Sequence, residues 1–371
     1  MRILELELNN YRNYEGLKLD LSNSKILIIG KNAQGKTNIL ESIYFLSTLK
    51  SFRSSNNNEL IRFNSEQFEI SSTILKSDAE VTLFYSYDEN KNKVIKVNGL
   101  KSRPKDFKSV IKTVLFSTSD LLLLRGNPQD RRDWLDRAIS QIYPAYDDRL
   151  LKYEKIRVQK NNFLKEVAKT GNFNETLLDV YNEQLVITGS NIIYLRKKFL
   201  NEIEKIATEK HRIISGTEHL KIRYESSFLA EDDIEVEHIA EKFTQSLNER
   251  RVEEIRRCQA CVGPHRDDII FYIDEKEAVR FASQGQQRTI VLALKLSELD
   301  MITSKTQDNP ILLLDDVLAE LDDKRQNFLL KSINEGIQTI ITSVDTVLFE
   351  DEFLRDVKIY KVELGEIVEG G

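Results

Sequence analysis

Residues 30–37, Gly30-Lys31-Asn32-Ala33-Gln34-Gly35-Lys36-Thr37, keep the spacing G-x-x-x-x-G-K-[S/T]. Such a loop can curl its successive backbone N–H groups around phosphate oxygens, and a side chain at Gly35 would obstruct that approach. A helix that follows directs its positive end at the anion. Lys36 then reaches the β- and γ-phosphates, and the Thr37 hydroxyl ligates Mg²⁺. A chance turn could carry the same eight letters, so the surroundings decide. Here an apolar strand, Lys25–Ile29, precedes the loop, and a helical pattern follows it, with Ile39, Leu40, Ile43, Tyr44 and Leu46 on one side. Asn38 opens that pattern.

A second group lies about 280 residues on. Ile311-Leu312-Leu313-Leu314-Asp315-Asp316 is an apolar strand ending in two carboxylates. Packing needs no acids there, and burying them unpaired is costly. A Mg²⁺ ion beside phosphates resolves that cost. Asp315 is the natural metal partner, directly or through water, and Asp316 is placed to orient or deprotonate an attacking water. The bland alternative is a solvated loop start after a core strand.

The elements that position these groups lie at both ends of the chain. Ile3, Leu4, Leu6 and Leu8 against Arg2, Glu5 and Glu7 read as a half-buried strand. Phe68–Leu75, Val81–Tyr87 and Val94–Val97 read as further strands, the last running into the hairpin turn Asn98-Gly99. No proline occurs between Pro144 and Pro264, and Leu150–Val167, Glu175–Ile206 and Ile239–Cys258 keep apolar residues at helical spacing. Those lengths imply a helical arm with Gly171, Asn172 and Asn174 at its tip. Leu220–Tyr224 and Asp268–Ile273 could be a strand pair framing it. Beyond Gly263 the pattern alternates again: helix Gly285–Asp300, strand Ile311–Asp315, helix Asp323–Ile333, strand Gln338–Thr342 and a last strand Ile359–Leu364. An α/β body made from both chain ends, with a helical lobe inserted, is the expected layout.

Composition bounds the rest. Of 371 residues, 40% are hydrophobic, enough for a packed core and too many for a disordered chain. Two cysteines cannot staple a fold of this size, and a reducing compartment is expected. Met1 leads straight into a strand pattern, so no leader peptide is expected. The apolar runs fall far short of the roughly 20 residues that a membrane span needs. A cytoplasmic protein with no membrane partner follows. The 54 basic and 60 acidic residues give a net charge of −6, which counts weakly against a nucleic-acid partner.

The order of motifs carries a resemblance. Ser283-Gln284-Gly285-Gln286-Gln287-Arg288 looks like the signature of ABC-type ATPases, and Ala319-Glu320-Leu321-Asp322 like their D-loop. Asn9-Asn10-Tyr11-Arg12-Asn13-Tyr14 is similar to an N-terminal asparagine–aromatic–arginine motif. Phe116-Ser117, Asp120–Leu124, Gly126, Pro128, Arg131, Arg132 and Leu135-Asp136 match a central motif. Gly263-Pro264-His265-Arg266-Asp267-Asp268 matches another, and Leu313, Asp315, Asp316, Leu318, Leu321 and Asp322 the last. Together they resemble, over essentially the whole chain, the RecF family of DNA replication and repair proteins, relatives of SMC-type ATPase heads.

The resemblance implies an α/β fold. It is an ABC-type P-loop ATPase head formed by residues 1–116 and 263–371, with a mainly helical lobe inserted at 117–262. It implies ATP and Mg²⁺ as cofactors, bound by residues 30–38 with Arg12 near the phosphates. Ser283, Gln284, Gly285 and Gln286 would meet the γ-phosphate held by a second copy, since a helix start offers unpaired N–H groups. Two ATP molecules would thus be sandwiched in a head-to-tail homodimer. The family also implies double-stranded DNA, bound without sequence preference near gaps at stalled forks, and RecO and RecR as partners that load RecA. Three departures imply slow, switch-like hydrolysis. Ser343 stands where transporters carry a histidine, Ser117 is the nearest equivalent of the Q-loop glutamine, and Thr118-Ser119 replace Pro-Glu.

Two further clusters invite a function. Cys258, Cys261 and His265 have the spacing of half a zinc site, but without a second C-x-x-C, buried inert thiols are expected. His265 is assigned to the nucleotide or dimer machinery. Lys91, Lys93, Lys96, Lys101, Arg103, Lys105 and Lys108 surround the Asn98-Gly99 turn with Asp106 as their only acid. Arg131-Arg132 and Arg196-Lys197-Lys198 are shorter clusters. Such groups could grip DNA phosphates, or form a solvated face. A head of another SMC-like or transporter machine is the competing reading. It calls for a coupling subunit or a long heptad arm, and the insert of roughly 120 residues is too short for the latter. A nucleotide-dependent scaffold without useful turnover is a third.

Overall fold

The computed structural model describes residues 1–230, 234–333 and 336–370. Contacts divide the chain into two compact units, Met1–Leu121 with Lys295–Gly371, and Leu122–Leu294.

In the first unit, β1 (Arg2–Tyr11) and β2 (Tyr14–Asp20) form a hairpin, and β3 (Lys25–Ile29) leads through the glycine loop into α1 (Lys36–Thr48). Strands β4 (Gln67–Lys76), β5 (Ala79–Asp88), β6 (Lys93–Val97) and β7 (Leu100–Lys101) follow, then α2 (Pro104–Lys108) and β8 (Thr113–Ser117). The β6–β7 turn is the expected one, with Asn98 and Gly99 both at positive φ, 49° and 74°.

The second unit holds α3 (Pro128–Ile142), α4 (Tyr146–Thr170), α5 (Glu175–Ser215), β9 (Leu220–Glu225), α6 (Val236–Glu249) and α7 (Arg251–Arg257). Next come β10 (Asp268–Ile273), β11 (Lys276–Glu277), α8 (Ala278–Phe281) and the start of α9 (Gln284–Thr306). The first unit then resumes with β12 (Ile311–Asp315), α10 (Asp323–Ser332) and β13 (Thr339–Ser343), and closes with the hairpin of β14 (Val357–Glu363) and β15 (Glu366–Gly370).

Two sheets face one core in the first unit. One is antiparallel, in the order β2-β1-β4-β5-β6-β7. The other runs β15-β14-β3-β13-β12-β8, and its five strands from β14 to β8 are parallel. Helix α1 links the two. Its Phe45 ring meets Tyr85 of the antiparallel sheet edge-on at 4.8 Å, and its Ser47 hydroxyl lies 2.6 Å from that of Thr113 on β8. Leu6, Leu8, Phe68, Leu313 and Ile340 complete a core that water does not reach. Parallel strands end on one edge, where ligands of open α/β sheets bind. This brings the ends of β3 and β12 together although about 280 residues separate them.

Three expectations shift. The return to the ATPase body falls at Lys295 rather than 263. The reason is that β10 pairs in full register with β9, Asp268 opposite Glu225 through Ile273 opposite Leu220, and so holds 263–294 with the helices. The helix expected over Ile239–Cys258 is two, broken at Arg250, whose ψ of 6° leaves the helical region. Helix α5 reaches Ser215 and has 41 residues, about 60 Å at 1.5 Å per residue. It packs against α4, and the turn between them begins at Gly171 in the left-handed conformation (φ 75°). Among the described residues no helix is long and apolar enough to cross a membrane.

Candidate functional site: a phosphate loop and an acidic strand end

The loop from Gly30 to Thr37 leaves β3 and enters α1. It needs glycine at two places for stated reasons. A Cβ on Gly30 would stand 2.4 Å from the Val362 carbonyl oxygen, and one on Gly35 2.6 Å from Asn13 Nδ2. Gly35 also lies at φ 119° and Ala33 at φ 65°, so the curve is built from left-handed backbone. The Lys36 ammonium is buried and donates to the carbonyls of Gly30 (2.7 Å) and Lys31 (3.2 Å), inside the curl of the loop.

Thr37 Oγ1 donates to Asp315 Oδ1 at 2.8 Å, joining the first turn of α1 to the tip of β12. Thr342, on the neighbouring strand, donates to the same oxygen at 3.0 Å. Burial holds the Asp315 carboxyl above its usual range; the two hydroxyls oppose this, and adjacent Asp316 adds to the rise. A carboxylate so poorly compensated, beside a hydroxyl oxygen, is a hard all-oxygen donor pair that suits Mg²⁺ completed by water and phosphate. Thr37 and Asp315 would hold that ion, and it would neutralise phosphate charge. Asp316 follows at φ 50°, its amide tied to Thr342 Oγ1 at 3.0 Å, which fixes the carboxylate at the strand end.

Arg12 is engaged by groups of its own chain. Its Nε and Nη2 grip both oxygens of Glu41, at 2.8 and 2.6 Å, and its Nη1 donates to the Glu59 carbonyl. Glu41 is fully buried on α1, so the pair anchors the β1–β2 hairpin to the helix that follows the loop. Neither Glu41 nor Asn13 is among the residues expected at the site. Asn13 donates to the Gln34 carbonyl (3.0 Å) and accepts from Asn38 (2.6 Å), which in turn accepts from Arg53 (2.7 Å). For Asn13 the available signal was its place in a motif whose asparagines and tyrosines had no assigned task; Glu41, on α1, lies outside that motif.

Ser117 ends β8 directly beside Asp315 in the ladder. Its amide and hydroxyl both reach Asp120 Oδ2 at 2.8 Å, and Asp120 is paired to Lys295 at 2.9 Å. Ser343, at the transporter histidine's place, is buried, and its carbonyl accepts from the Gly30 amide at 3.3 Å. Ala319 and Glu320 lie exposed in a short turn, Leu321 is buried, and Asp322 caps α10 by accepting from the Arg325 amide.

In the second unit Ser283 caps α9. Its Oγ accepts from the Gln286 amide (3.2 Å), while Gln286 Oε1 accepts from the Ser283 amide (2.7 Å), a reciprocal capping box. Gln286 Nε2 also donates to Glu218 at 2.7 Å. Ser283 and Gln284 are exposed and Gly285 is half-buried.

The other candidates fare unequally. Lys91, Lys93, Lys101, Arg103 and Lys105 are exposed and Lys96 and Lys108 half-buried, along the edge formed by β6, β7 and α2. Arg103 bonds Asp106 at 2.7 Å and Lys96 sits over the Phe84 ring at 5.3 Å. In the shorter clusters Lys198 is exposed over the Tyr194 ring, and the other four are corrected: Arg131 is buried on Asp268, Arg132 on the Asp267 carbonyl, Arg196 on Asp136, and Lys197 on the Ala230 carbonyl. Buried charges survive only when paired, so these are internal ties, not a phosphate grip.

Cys258 and Cys261 are half-buried rather than buried, and Cys258 caps α7 in left-handed conformation (φ 54°). Burial still pushes the Cys261 thiol up, as an inert thiol requires. No metal-holding cluster occurs among the described residues. His265 bonds the Tyr153 hydroxyl at 2.7 Å and the Ala260 carbonyl at 3.2 Å, and burial lowers its pKa to about 3, so it stays neutral.

Comparison with known proteins accords with this geometry. The family model described as RecF/RecN/SMC N terminal domain matches residues 2–367. The DNA replication and repair protein RecF of Bacillus cereus strain G9842 is 40% identical over 369 residues, 99% of this chain and 98% of that protein. RecF of Bacillus subtilis strain 168 is 38% identical over 370 residues, 99% and 100% of the two chains. A solved structure of the recombination mediator protein RecF with ATP, in the RecFOR pathway, superposes with a TM-score of 0.92 at 35% identity, covering 100% of this chain and 97% of that one. An Smc head bound to the C-winged helix domain of ScpA, 16% identical with a TM-score of 0.56, shares the fold alone. The chain therefore belongs to the RecF family of DNA replication and repair proteins, within the wider RecF, RecN and SMC group.

Proposed function

We propose that the protein is an ATP-operated clamp of recombinational repair. Residues 30–38 cradle the phosphates, Lys36 leaves its two carbonyls for the β- and γ-phosphates, and Thr37 with Asp315 holds Mg²⁺. The Thr37–Asp315 contact carries this reading, because it is the coordination pair already assembled across two distant motifs. ATP held there meets Ser283, Gly285 and Gln286 of a second copy, with the D-loops at the same interface. The homodimer so formed grips duplex DNA near gaps through phosphate contacts, and the β6–β7 edge supplies cations for it. There it helps RecO and RecR load RecA. Asp316 then orients the attacking water, and slow hydrolysis opens the dimer. The exposed Ser283 and the carboxylate fixed at the end of β12 support the reading.

Replacing Asp316 with Asn keeps the fold and removes the base. Asp316→Asn is expected to bind ATP and accumulate as a dimer that outlasts the wild-type one in light scattering. A variant that stays monomeric with saturating ATP and Mg²⁺ would contradict the proposal.

A further inference from the structure

The last hairpin of the chain touches the phosphate loop with backbone alone. Its turn residues, Leu364 and Gly365, both have positive φ, 50° and 82°. The Leu364 amide donates to Gln34 Oε1 at 2.5 Å, and the Gly365 amide donates to the Gln34 carbonyl at 3.1 Å. From the other side Asn13 donates to that same carbonyl at 3.0 Å. The start of the loop is bounded too, since the Val362 carbonyl leaves no room for a Cβ on Gly30. A Cβ on Gly365 would lie 2.9 Å from both Asn13 Nδ2 and the Asn13 carbonyl oxygen, so turn, loop and β1–β2 hairpin are packed in direct contact.

This arrangement is not explained by apolar packing. The Leu364 side chain is 86% exposed, and a non-glycine residue at positive φ carries strain. What the turn gains is two N–H donors aimed at one residue of the loop. The loop in turn has a reason to need them. Gly30, Ala33 and Gly35 all have positive φ, so its curve is not one the chain would hold unaided. An anion site made of backbone N–H groups binds well only when those groups converge before the ligand arrives. Helix α1 fixes one end of the curve and Lys36 ties the carbonyls of Gly30 and Lys31 at the other, while the ties to Gln34 come from outside the loop.

We propose that the β14–β15 turn is a latch that holds the phosphate loop open for nucleotide, with Gln34, Asn13 and Gly365 as positioning residues. Gln34 is the point of attachment, Asn13 the counter-hold, and Gly365 the residue whose lack of a side chain lets both reach it. The C-terminal hairpin thereby sets nucleotide affinity without touching nucleotide. The inference rests on the reading of residues 30–38 as the ATP site.

The test is the affinity of the full-length protein for a fluorescent N-methylanthraniloyl ATP with Mg²⁺, measured on Gly365→Ala and Asn13→Ala. Both variants are expected to bind about tenfold more weakly: Asn13→Ala removes a tie of ordinary hydrogen-bond strength, and the added methyl of Gly365→Ala meets Asn13 and forces the turn and its amide away from Gln34. Amide exchange at residues 31–35 should quicken in both, while residues 26–28 of β3 keep their protection, a split that general destabilisation would not produce. The double variant should lose less than the product of the two single losses, since both act on one loop. Wild-type affinity, within about twofold in both, would overturn the latch. If Gly365→Ala does not fold, Asn13→Ala decides alone. Wild-type protein that binds no nucleotide would instead overturn the reading of the loop, and the latch with it.

Discussion

Asp267 and Asp315 are both buried carboxyls, and burial raises both. Asp315 is offset by two hydroxyls and opens on a place where a metal ion can compensate it. Asp267 has the Tyr224 hydroxyl at 2.6 Å, and its pKa stands at about 6. Its folded value lies above the 3.8 of an ordinary aspartate, so the native state binds the extra proton between about pH 4 and pH 6. Its contribution to stability is complete below that window and is lost as pH rises through 6. At neutral pH the buried charge costs on the order of 3 kcal/mol against a neutral group. Asp267→Asn is therefore expected to raise unfolding stability at pH 7.5 and to leave it unchanged near pH 4. Urea unfolding at the two pH values checks this, and equal gains at both would contradict it. Arg12 belongs at this scale too. Its residue type and motif were legible, but its partner Glu41 lies 29 residues away and is recognisable only once α1 is folded.

Elements decide which groups meet. The parallel order β3-β13-β12 brings Thr37 to Asp315, and each strand was readable from its apolar run, with Gly30 after β3, Gly336 before β13 and the two carboxylates at the end of β12. Two of the unread elements have pairing as their cause. Strand β2 is held by β1 in register from Glu5 opposite Asp20 to Tyr11 opposite Tyr14, and its own sequence alternates weakly. Strand β15 is an edge strand whose latching turn has no letter pattern of its own. The boundary at 263 moved for the same reason, since β9 claims β10. The α9 start poses a question at this scale, because Ser283 already has a structural task as a cap. Ser283→Ala should cost about 1 kcal/mol of stability through the lost cap. Ser283→Arg should block ATP-dependent dimerisation while leaving ATP affinity intact. Normal dimerisation of the arginine variant, by sedimentation, would reduce Ser283 to a cap.

The whole molecule carries a net charge of −6 and yet belongs to a family of DNA repair proteins. The resolution proposed is local. Several acids sit at the strand end and D-loop, several bases are internal ties, and the β6–β7 edge keeps its cations outside. Replacing Lys101, Arg103 and Lys105 with Gln should weaken duplex binding without altering sequence preference. It should also flatten the dependence of log affinity on log salt by roughly 0.9 per lost phosphate contact. An unchanged slope would make that edge a solvated face. The candidate phosphate loop was legible because its chemistry is compressed into eight consecutive residues; a DNA face would be spread over exposed side chains that no spacing constrains. The central claim is that ATP makes the dimer and the dimer holds DNA. Its most direct test measures oligomeric state and duplex binding together, with and without ATP and Mg²⁺, on the wild type and Lys36→Met. The expected result is that wild-type protein dimerises and binds duplex tightly only with ATP, while Lys36→Met does neither. Tight duplex binding by a monomer, indifferent to ATP, would contradict the account.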